Sequence, residues 1–212
     1  MAISLCRTYG NNADKILHQK QLREIKKEIF RKTIHLCTAF VPFFLDRFYW
    51  ITIALLSFVL AGYIVCEILR LNGISVPIIS KVTDIASRKR DENHFVLGPV
   101  TLASGVLITA LFFPPLAAKI GILSLALGDG LASLFGKLFG HILIPFTSGK
   151  TVAGSLTCFM AIFISSYLCY QNLICALSLG VAGMIIEVFP IKNFDNITLP
   201  ILIAFMSLFF IY

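Results

Sequence analysis

The chain has 212 residues, of which 58% are hydrophobic and 14% are charged, and 18 Lys and Arg against 11 Asp and Glu give it a net charge of +7. A soluble domain carries about 25% charged residues. The composition therefore excludes an ordinary water-soluble domain and indicates an integral membrane protein, whose positive charge suits anionic lipid headgroups.

The first 30 residues are polar and lack the apolar core of a secretory signal. Residues 14–30 place apolar side chains among charges at roughly helical spacing, which is typical of a helix lying in the membrane interface. We expect residues 1–30 to form a cytosolic or interfacial segment and residues 31–212 to form a single transmembrane domain.

Seven apolar stretches follow this segment. A helix that crosses a bilayer needs about 17–25 mostly apolar residues, and none of the stretches alternates as the strands of a barrel do. We therefore predict an all-α, polytopic membrane bundle of about seven transmembrane helices. The predicted spans are residues 31–45, 49–66, 95–113, 116–135, 152–170, 173–189 and 197–212.

The basic residues divide unevenly between alternate connections of these spans. Sixteen of the 18 fall on one side, and only Arg47 and Lys119 fall on the other, where the connections are short turns. The positive-inside rule places the sixteen in the cytosol. The N-terminus is then cytosolic, the C-terminus lies outside, and we expect a bacterial inner membrane protein whose site faces the cytosol.

Two other classes of site are not expected. The six cysteines include no Cys-x-x-Cys pair and lie mostly in apolar spans, so we assign them to packing rather than to disulfides or zinc. No soluble module presents the basic residues, so we expect no nucleic-acid partner.

Asp129 lies between Gly128 and Gly130 at the cytosolic end of the fourth predicted span. A carboxylate within a span is costly unless it is paired or bound to a metal, so such residues are usually functional. An interhelical salt bridge or a helix cap is the alternative. The small residues around Asp129 allow the close approach of a ligand or of another helix.

A second polar cluster precedes the first span. Glu28, Arg31, Lys32 and His35 share one helical face because they are spaced by three, four and seven residues. An acid, two cations and an imidazole on one face suit the oxygens of a polyphosphate. A basic anchor flanking the span is the alternative, but it explains only the two cations.

Residues 149–151 read Gly-Lys-Thr, which invites comparison with a P-loop. That motif requires a glycine where Ile144 stands, and no strand precedes it, so we exclude a P-loop. Lys150 with its neighbouring hydroxyls still suits phosphate. The charge run 88–94, which includes Arg90 and Glu92, is typical of a topogenic anchor.

Glu187, Asp195 and Asn196 lie between the last two predicted spans and are ligand types that suit a hard cation. A solvated turn explains Asp195 and Asn196 equally well. All these clusters fall on the predicted cytosolic side. Since phosphoryl transfer needs acids for Mg²⁺ and cations for phosphate, we expect them to converge in one pocket where a nucleotide meets a lipid.

These blocks, in this order, resemble the CTP-dependent polyprenol and diacylglycerol kinases, a family that includes dolichol kinase, phytol kinase and CTP-type diacylglycerol kinase. The resemblance runs from about Glu28 to Pro200. It is most specific at Arg31-Lys32 with His35, at residues 95–101, at residues 128–136 and at Asp195-Asn196. It implies a CTP-transferase-type membrane fold that phosphorylates a membrane lipid alcohol, diacylglycerol or of polyprenol type, with Mg²⁺ and CTP.

The residue patterns and the resemblance together assign roles. The expected catalytic residues are Asp129, Arg31 and Lys32. The expected nucleotide-binding residues are Arg31, Lys32, His35, Gly128, Gly136, Lys150, Thr151, Gly154 and Ser155. The expected Mg²⁺ ligands are Asp129, Glu187, Asp195 and Asn196, and further candidates for the site are Glu28, Glu67, Arg70, Arg90 and Glu92.

One departure from the family pattern affects these roles. Relatives carry a glutamate where this chain has Ala153, which puts a metal or base role of that loop in doubt. A phosphatidate cytidylyltransferase is the second reading, although its long C-terminal signature is absent here. A non-enzymatic transporter or scaffold that uses Asp129 for coupling or packing is the third.

Overall fold

The structure is a computed structural model that describes residues 27–74, 94–147, 149–189, 191 and 194–210. Within these ranges the chain is helical apart from short connections, and the one extended pairing is an isolated antiparallel bridge between Leu143 and Thr151. The all-α prediction is confirmed for the described residues. Most of the predicted interfacial helix at 14–30 lies outside them.

The helices of the described ranges are numbered in chain order. They are α1 (27–37), α2 (Val41–Leu71), α3 (Leu97–Phe112), α4 (Pro115–Leu123), α5 (Gly130–Phe139), α6 (Val152–Tyr170), α7 (Leu173–Val188) and α8 (Asp195–Ser207). A 3-10 turn at Thr38–Phe40 joins α1 to α2, a π-helix at Ser124–Asp129 joins α4 to α5, and a 3-10 turn at Leu208–Phe210 extends α8.

Proline and capping residues set two of the short connections that the sequence predicts. Pro115 is the first residue of α4, a position where its missing N–H leaves no hydrogen bond unmade. Gln171 ends α6 in the left-handed conformation, with φ of 53°. The Asn172 side chain then accepts hydrogen bonds from two backbone N–H groups in the first turn of α7.

The first two predicted spans form one helical run, Lys27–Leu71, which is kinked at Phe48 (φ −137°, ψ 53°). The sequence predicts a turn at 46–48, and the structure places a kink there. The first arm of the run leads from one end of the bundle to the other. Lys32 reaches Asp129 at the end of the π-helix, whereas Asp46 pairs with Lys119 near the start of α4.

The second arm returns along α3. The Tyr49 hydroxyl donates to the Ala110 carbonyl near the end of α3 (3.0 Å), and the Tyr63 hydroxyl donates to the Val96 carbonyl just before its start (3.3 Å). Because α3 and α4 are joined by a two-residue break, Val96 and the end of the π-helix share one end of the bundle. Both ends of the run therefore lie at that end.

Three described helical segments are long and apolar enough to cross a membrane, namely Lys27–Leu71, Pro115–Phe139 and Val152–Tyr170. Leu97–Phe112, Leu173–Val188 and Asp195–Phe210 are apolar but shorter. Large apolar side chains such as Trp50, Phe58 and Phe112 are more than three-quarters exposed. Exposed apolar surface on this scale belongs in lipid, so the chain is a membrane protein, and the count of seven spans stays a prediction.

The Pro115–Phe139 segment is the centre of the bundle. Ile120 packs with buried residues of α6, α7 and α8, including Ile162 and Leu179. Ile122 instead belongs to a second cluster, with α2 and α3. Since neighbouring positions of α4 contribute to different clusters, other helices cover the Pro115–Phe139 segment on several sides. Asp129, which lies within this segment, is therefore buried among other helices.

Candidate functional site

Asp129 is the last residue of the π-helix and only 7% exposed. Lys32 of α1 is also buried, and its Nζ donates to Asp129 Oδ2 at 2.6 Å. Burial of either charge alone costs free energy, so each charge is stabilised in the interior only by its partner. π-helices are uncommon and often lie at functional sites, and no sequence signal predicted this one.

His35 lies one turn after Lys32 and faces the same carboxylate. Its Nδ1 is 3.3 Å from Asp129 Oδ2, yet it makes no hydrogen bond within the described part of the chain. His35 is 5% exposed. Buried polar atoms are normally hydrogen-bonded, so this nitrogen is available to a further partner beside the ion pair.

Glu28 completes the predicted polar face of α1. It pairs with Arg31 one turn along α1, and its Oε2 lies 2.9 Å from Lys137 Nζ on α5. All four residues of the predicted face therefore point toward the bundle. Lys137, one of the sixteen basic residues on the predicted cytosolic side, is a further member of this cluster. The one sequence feature that could have identified Lys137 is its position about two helical turns after Asp129.

Lys150 and Ser155 converge on a carboxylate of α7. Lys150 Nζ pairs with Glu187 Oε1, and Ser155 Oγ donates to Glu187 Oε2 at 3.1 Å. Burial lowers the pKa of Lys150, but the adjacent Glu187 outweighs burial, and the pKa stands above the usual lysine value. The ammonium is therefore charged at neutral pH. Ala153 supplies no carboxylate to this loop, but Glu187 of α7 places one beside it.

A small cavity of about 10 Å³ joins these groups. Asp129, Lys150, Glu187 and Asp195 supply its charged lining. The Asp195 carboxylate has no hydrogen bond or ion pair among the residues that the structure describes. The structure therefore brings four predicted site residues from four separate parts of the chain to one cavity.

The cavity lies close to the N-terminal end of α6. The 19 residues of α6 rise about 28 Å, close to the roughly 30 Å hydrocarbon thickness of a bilayer. Ser155, which contacts Glu187, is one turn inside the N-terminal end of α6, or about 5 Å at 1.5 Å per residue. In a bilayer that α6 crosses from end to end, the charged groups lie about 5 Å inside the level of its N-terminal end.

The acidic residues at the cavity can be compared with those of a typical Mg²⁺ site. In the described ranges, no group of three or more His, Cys, Asp or Glu side chains is arranged to hold a metal ion. Both oxygens of Glu187 already have partners. Mg²⁺ is usually held by only one or two carboxylates together with substrate phosphates and water. Asp129 and Asp195, the other two carboxylates at the cavity, are within this number.

Asn196 does not line the cavity. Its Nδ2 donates to Thr101 Oγ1 at 3.0 Å and toward the Gly98 carbonyl at 3.5 Å, so the side chain joins α8 to α3. Its predicted role as a Mg²⁺ ligand therefore finds no support in its position. The sequence could not distinguish the two adjacent residues 195 and 196, because neighbouring positions of a helix point in different directions.

Three glycines predicted to bind nucleotide lie between helices instead. A Cβ on Gly136 would meet Thr151 Oγ1 at 2.9 Å and the Gly154 Cα at 3.4 Å, and a Cβ on Gly128 would meet Ile162. Thr151 caps α6 by accepting the Gly154 N–H at 3.2 Å. These residues bring α5 and the π-helix against α6 and so hold Asp129 and Lys150 in place.

Replacing Gly136 with alanine is expected to lower the free energy of unfolding by about 1–3 kcal/mol, because the added methyl group overpacks the contact between α5 and α6. Gly62→Ala in α2 is the matched control, since nothing lies within 4 Å of a Cβ there. It should leave stability unchanged or slightly higher. Thermal unfolding of both variants in the same detergent tests this, and equal effects would contradict it.

Glu67 and Arg70 form a separate cluster. Fully buried Glu67 accepts the Val96 N–H at 2.8 Å and pairs with Arg70 at 2.7 and 2.9 Å. Arg70 also donates to the His94 carbonyl at 3.0 Å. The cluster anchors the start of α3, and neither residue lines the cavity. Arg90 and Glu92, the remaining candidates, lie outside the described residues.

Comparison with known proteins identifies relatives. The chain is 30% identical over 159 residues to phytol kinase 1, chloroplastic, of Arabidopsis thaliana, an alignment that covers 65% of this chain and 52% of that protein. It is 28% identical over 183 residues to the phytol kinase of Synechocystis sp., covering 82% of the chain and 76% of that protein. No protein-family model and no solved structure matches the chain.

A third relative covers more of both sequences. The chain is 28% identical over 189 residues to an uncharacterized protein of Methanocaldococcus jannaschii, covering 85% of the chain and 92% of that protein. The chain spans about half the length of the Arabidopsis relative. Several relatives, from plants and a cyanobacterium, are named phytol kinase or probable phytol kinase. These similarities support the resemblance to the polyprenol and phytol kinase family that the polar motifs indicate.

Proposed function

We propose that this protein transfers the γ-phosphate of CTP to the hydroxyl group of a membrane lipid alcohol. The observation that carries this proposal is the buried Lys32–Asp129 pair beside a cavity that also contains Lys150, Glu187 and Asp195. Catalysis of phosphoryl transfer is mainly positioning and neutralisation of charge. Paired lysines and carboxylates at the depth of a lipid headgroup are suited to both.

Each ion pair of the site has a role in this reaction. Lys32 and Lys150 neutralise phosphate oxygens, for which they exchange their present carboxylate partners. Arg31 and Lys137 add positive charge on the same end of the bundle. Mg²⁺ bound with the nucleotide supplies further neutralisation of the phosphates, and Asp129 and Asp195 are the residues that would hold it.

The transfer itself forms one bond and breaks one. The lipid hydroxyl oxygen bonds to the γ-phosphorus, the bond from that phosphorus to the bridging oxygen breaks, and CDP leaves with the electron pair. The hydroxyl proton passes to a base, for which Asp129 and His35 are the candidates. The open Nδ1 of His35, 3.3 Å from the carboxylate, supports a role for this pair in accepting the proton.

We also propose that the site faces the cytosol, with the N-terminus on the same side, seven spans, and the C-terminus outside. The distribution of basic residues supports this orientation. In this arrangement the Lys27–Leu71 run contributes two spans that meet at the Phe48 kink. The lipid alcohol then enters sideways from the cytosolic leaflet.

The test uses the protein in sealed inside-out vesicles with Mg²⁺, CTP and a panel of phytol, polyprenol and diacylglycerol. CDP and a lipid monophosphate are expected when CTP is outside these vesicles, and no product when it is inside. Replacement of CTP by ATP should abolish the product. The lipid with the highest turnover identifies the substrate class.

Other products decide between the alternatives. Pyrophosphate together with a CDP-lipid would instead identify a cytidylyltransferase. The absence of both products from folded protein would contradict both enzymes and leave a transporter or scaffold. Product formed only from CTP inside the vesicles would reverse the proposed orientation while leaving the chemistry in place.

A further inference from the structure

The connection between α5 and α6 is a short hairpin, defined here as residues 141–147 and 149–151. The Ile144 N–H donates to the Lys150 carbonyl at 2.9 Å, and the Val152 N–H donates to the Ile142 carbonyl at 3.0 Å. Between these two bonds, Leu143 pairs with Thr151. These backbone pairings close the hairpin, and the described residues of its tip are 145–147 and 149.

The hairpin exposes large apolar side chains. Phe146 at the tip is fully exposed, and Ile142 and Leu143 are 68% and 65% exposed. Phe146 also has a φ of 61°, a left-handed conformation that costs a non-glycine residue about 1–3 kcal/mol. In water, exposed apolar side chains do not stabilise the fold, because it is their burial that contributes free energy. The left-handed conformation of Phe146 is not compensated there either.

The position of the hairpin identifies its surroundings. It leads directly into the N-terminal end of α6, and α6 alone rises about 28 Å, close to the thickness of the apolar layer. The hairpin therefore lies at the boundary between lipid and water, on the end of the bundle that holds the cavity. Leu138 and Phe139, at the end of α5 shortly before the hairpin, are exposed as well.

We propose that the hairpin is a membrane-interface anchor, in which Ile142, Leu143 and Phe146 insert into the lipid at the boundary between headgroups and acyl chains. Aromatic and aliphatic side chains are suited to this layer. The hairpin also carries Lys150, whose Nζ pairs with Glu187 in the cavity. Contact of the tip with the lipid surface thus fixes the backbone that presents this cation to the site.

Tryptophan fluorescence tests the anchor, since the chain has a single tryptophan. Trp50→Phe removes it, and Phe146→Trp then reports on the tip in vesicles that contain brominated phospholipids. We expect emission that is blue-shifted from that of tryptophan in water and poorly quenched by iodide. Lipids brominated near the carbonyl end of the acyl chain should cause a larger loss of emission than lipids brominated near its methyl end.

Met160→Trp in the same background is the matched reference. Met160 is at mid-length in α6 and 46% exposed, so lipids brominated near the methyl end of the chain should quench it most. If Phe146→Trp fails to fold, Leu143→Trp reports on the same surface. These measurements need no turnover, so their outcome is independent of the proposed kinase activity.

Two results would overturn the anchor. Emission like that of tryptophan in water, with full quenching by iodide, would mean that the tip is in solution. Blue-shifted emission that no brominated lipid quenches would mean that protein covers the tip, from a second copy or from another part of this chain. Either result would leave the cavity and its ion pairs as described.

Discussion

Replacement of Asp129 by asparagine is expected to lower lipid-kinase turnover by at least about 100-fold, the loss that follows removal of one essential electrostatic contact in an active site. Asparagine keeps the size of the side chain and can still accept a hydrogen bond from Lys32. It loses the charge that holds Mg²⁺ and balances the lysine. CDP formation at saturating CTP and lipid measures the effect.

Asp46→Asn is the matched control for this experiment. Asp46, like Asp129, is paired with a lysine, in this case Lys119 of the central segment. It lies at the opposite end of the bundle, and its side chain is 45% exposed. Its loss should leave turnover close to that of the wild type, since exposed pairs contribute little. Equal losses in the two variants, or wild-type turnover in Asp129→Asn, would contradict the assignment of the site.

Replacement of Lys32 by methionine is expected to reduce the free energy of unfolding by about 3–5 kcal/mol, because it leaves the buried Asp129 carboxylate without its partner. Turnover should also be lost, since Lys32 is proposed to neutralise phosphate. Loss of activity alone therefore does not separate a structural role from a catalytic one. Denaturant unfolding in detergent micelles measures the stability of the variant.

The double variant Lys32→Met, Asp129→Leu separates the two roles. With both charges removed, apolar side chains of similar size should recover most of the lost stability, as happens in other buried pairs. The recovered protein should still have no measurable turnover. A stable and active double variant would show that the pair serves packing alone, and failure to recover stability would show that the two charges are not coupled.

The apolar segments and their boundaries were largely predictable from the sequence. The predicted fifth span, 152–170, has the bounds that α6 has in the structure. Local chemistry determines these bounds: a bilayer requires about 20 apolar residues in a row, and Gln171-Asn172 and Pro114-Pro115 interrupt the helices through their own backbone preferences. The candidate acids and cations could also be identified from the sequence, because charged residues are rare within apolar segments.

The partners of those charged residues were not predictable. Lys32 and Asp129 are 97 positions apart, and Ser155 and Glu187 are 32 apart. A residue pattern shows which side chains are polar, but not which helix faces pack together. The kink that joins the first two predicted spans and the π-helix that ends at Asp129 likewise arise from packing around the central segment rather than from a local motif.

The sequence by itself determined that the chain belongs in a membrane, where several of its helices begin and end, and which polar residues are candidates for chemistry. The tertiary structure decided that Asp129, Lys150, Glu187 and Asp195 line one cavity while Asn196 and Glu67 hold helices together. The physical reason is that hydropathy and backbone preference act over a few residues, whereas a buried charge is stabilised only by a partner that the fold brings from elsewhere in the chain.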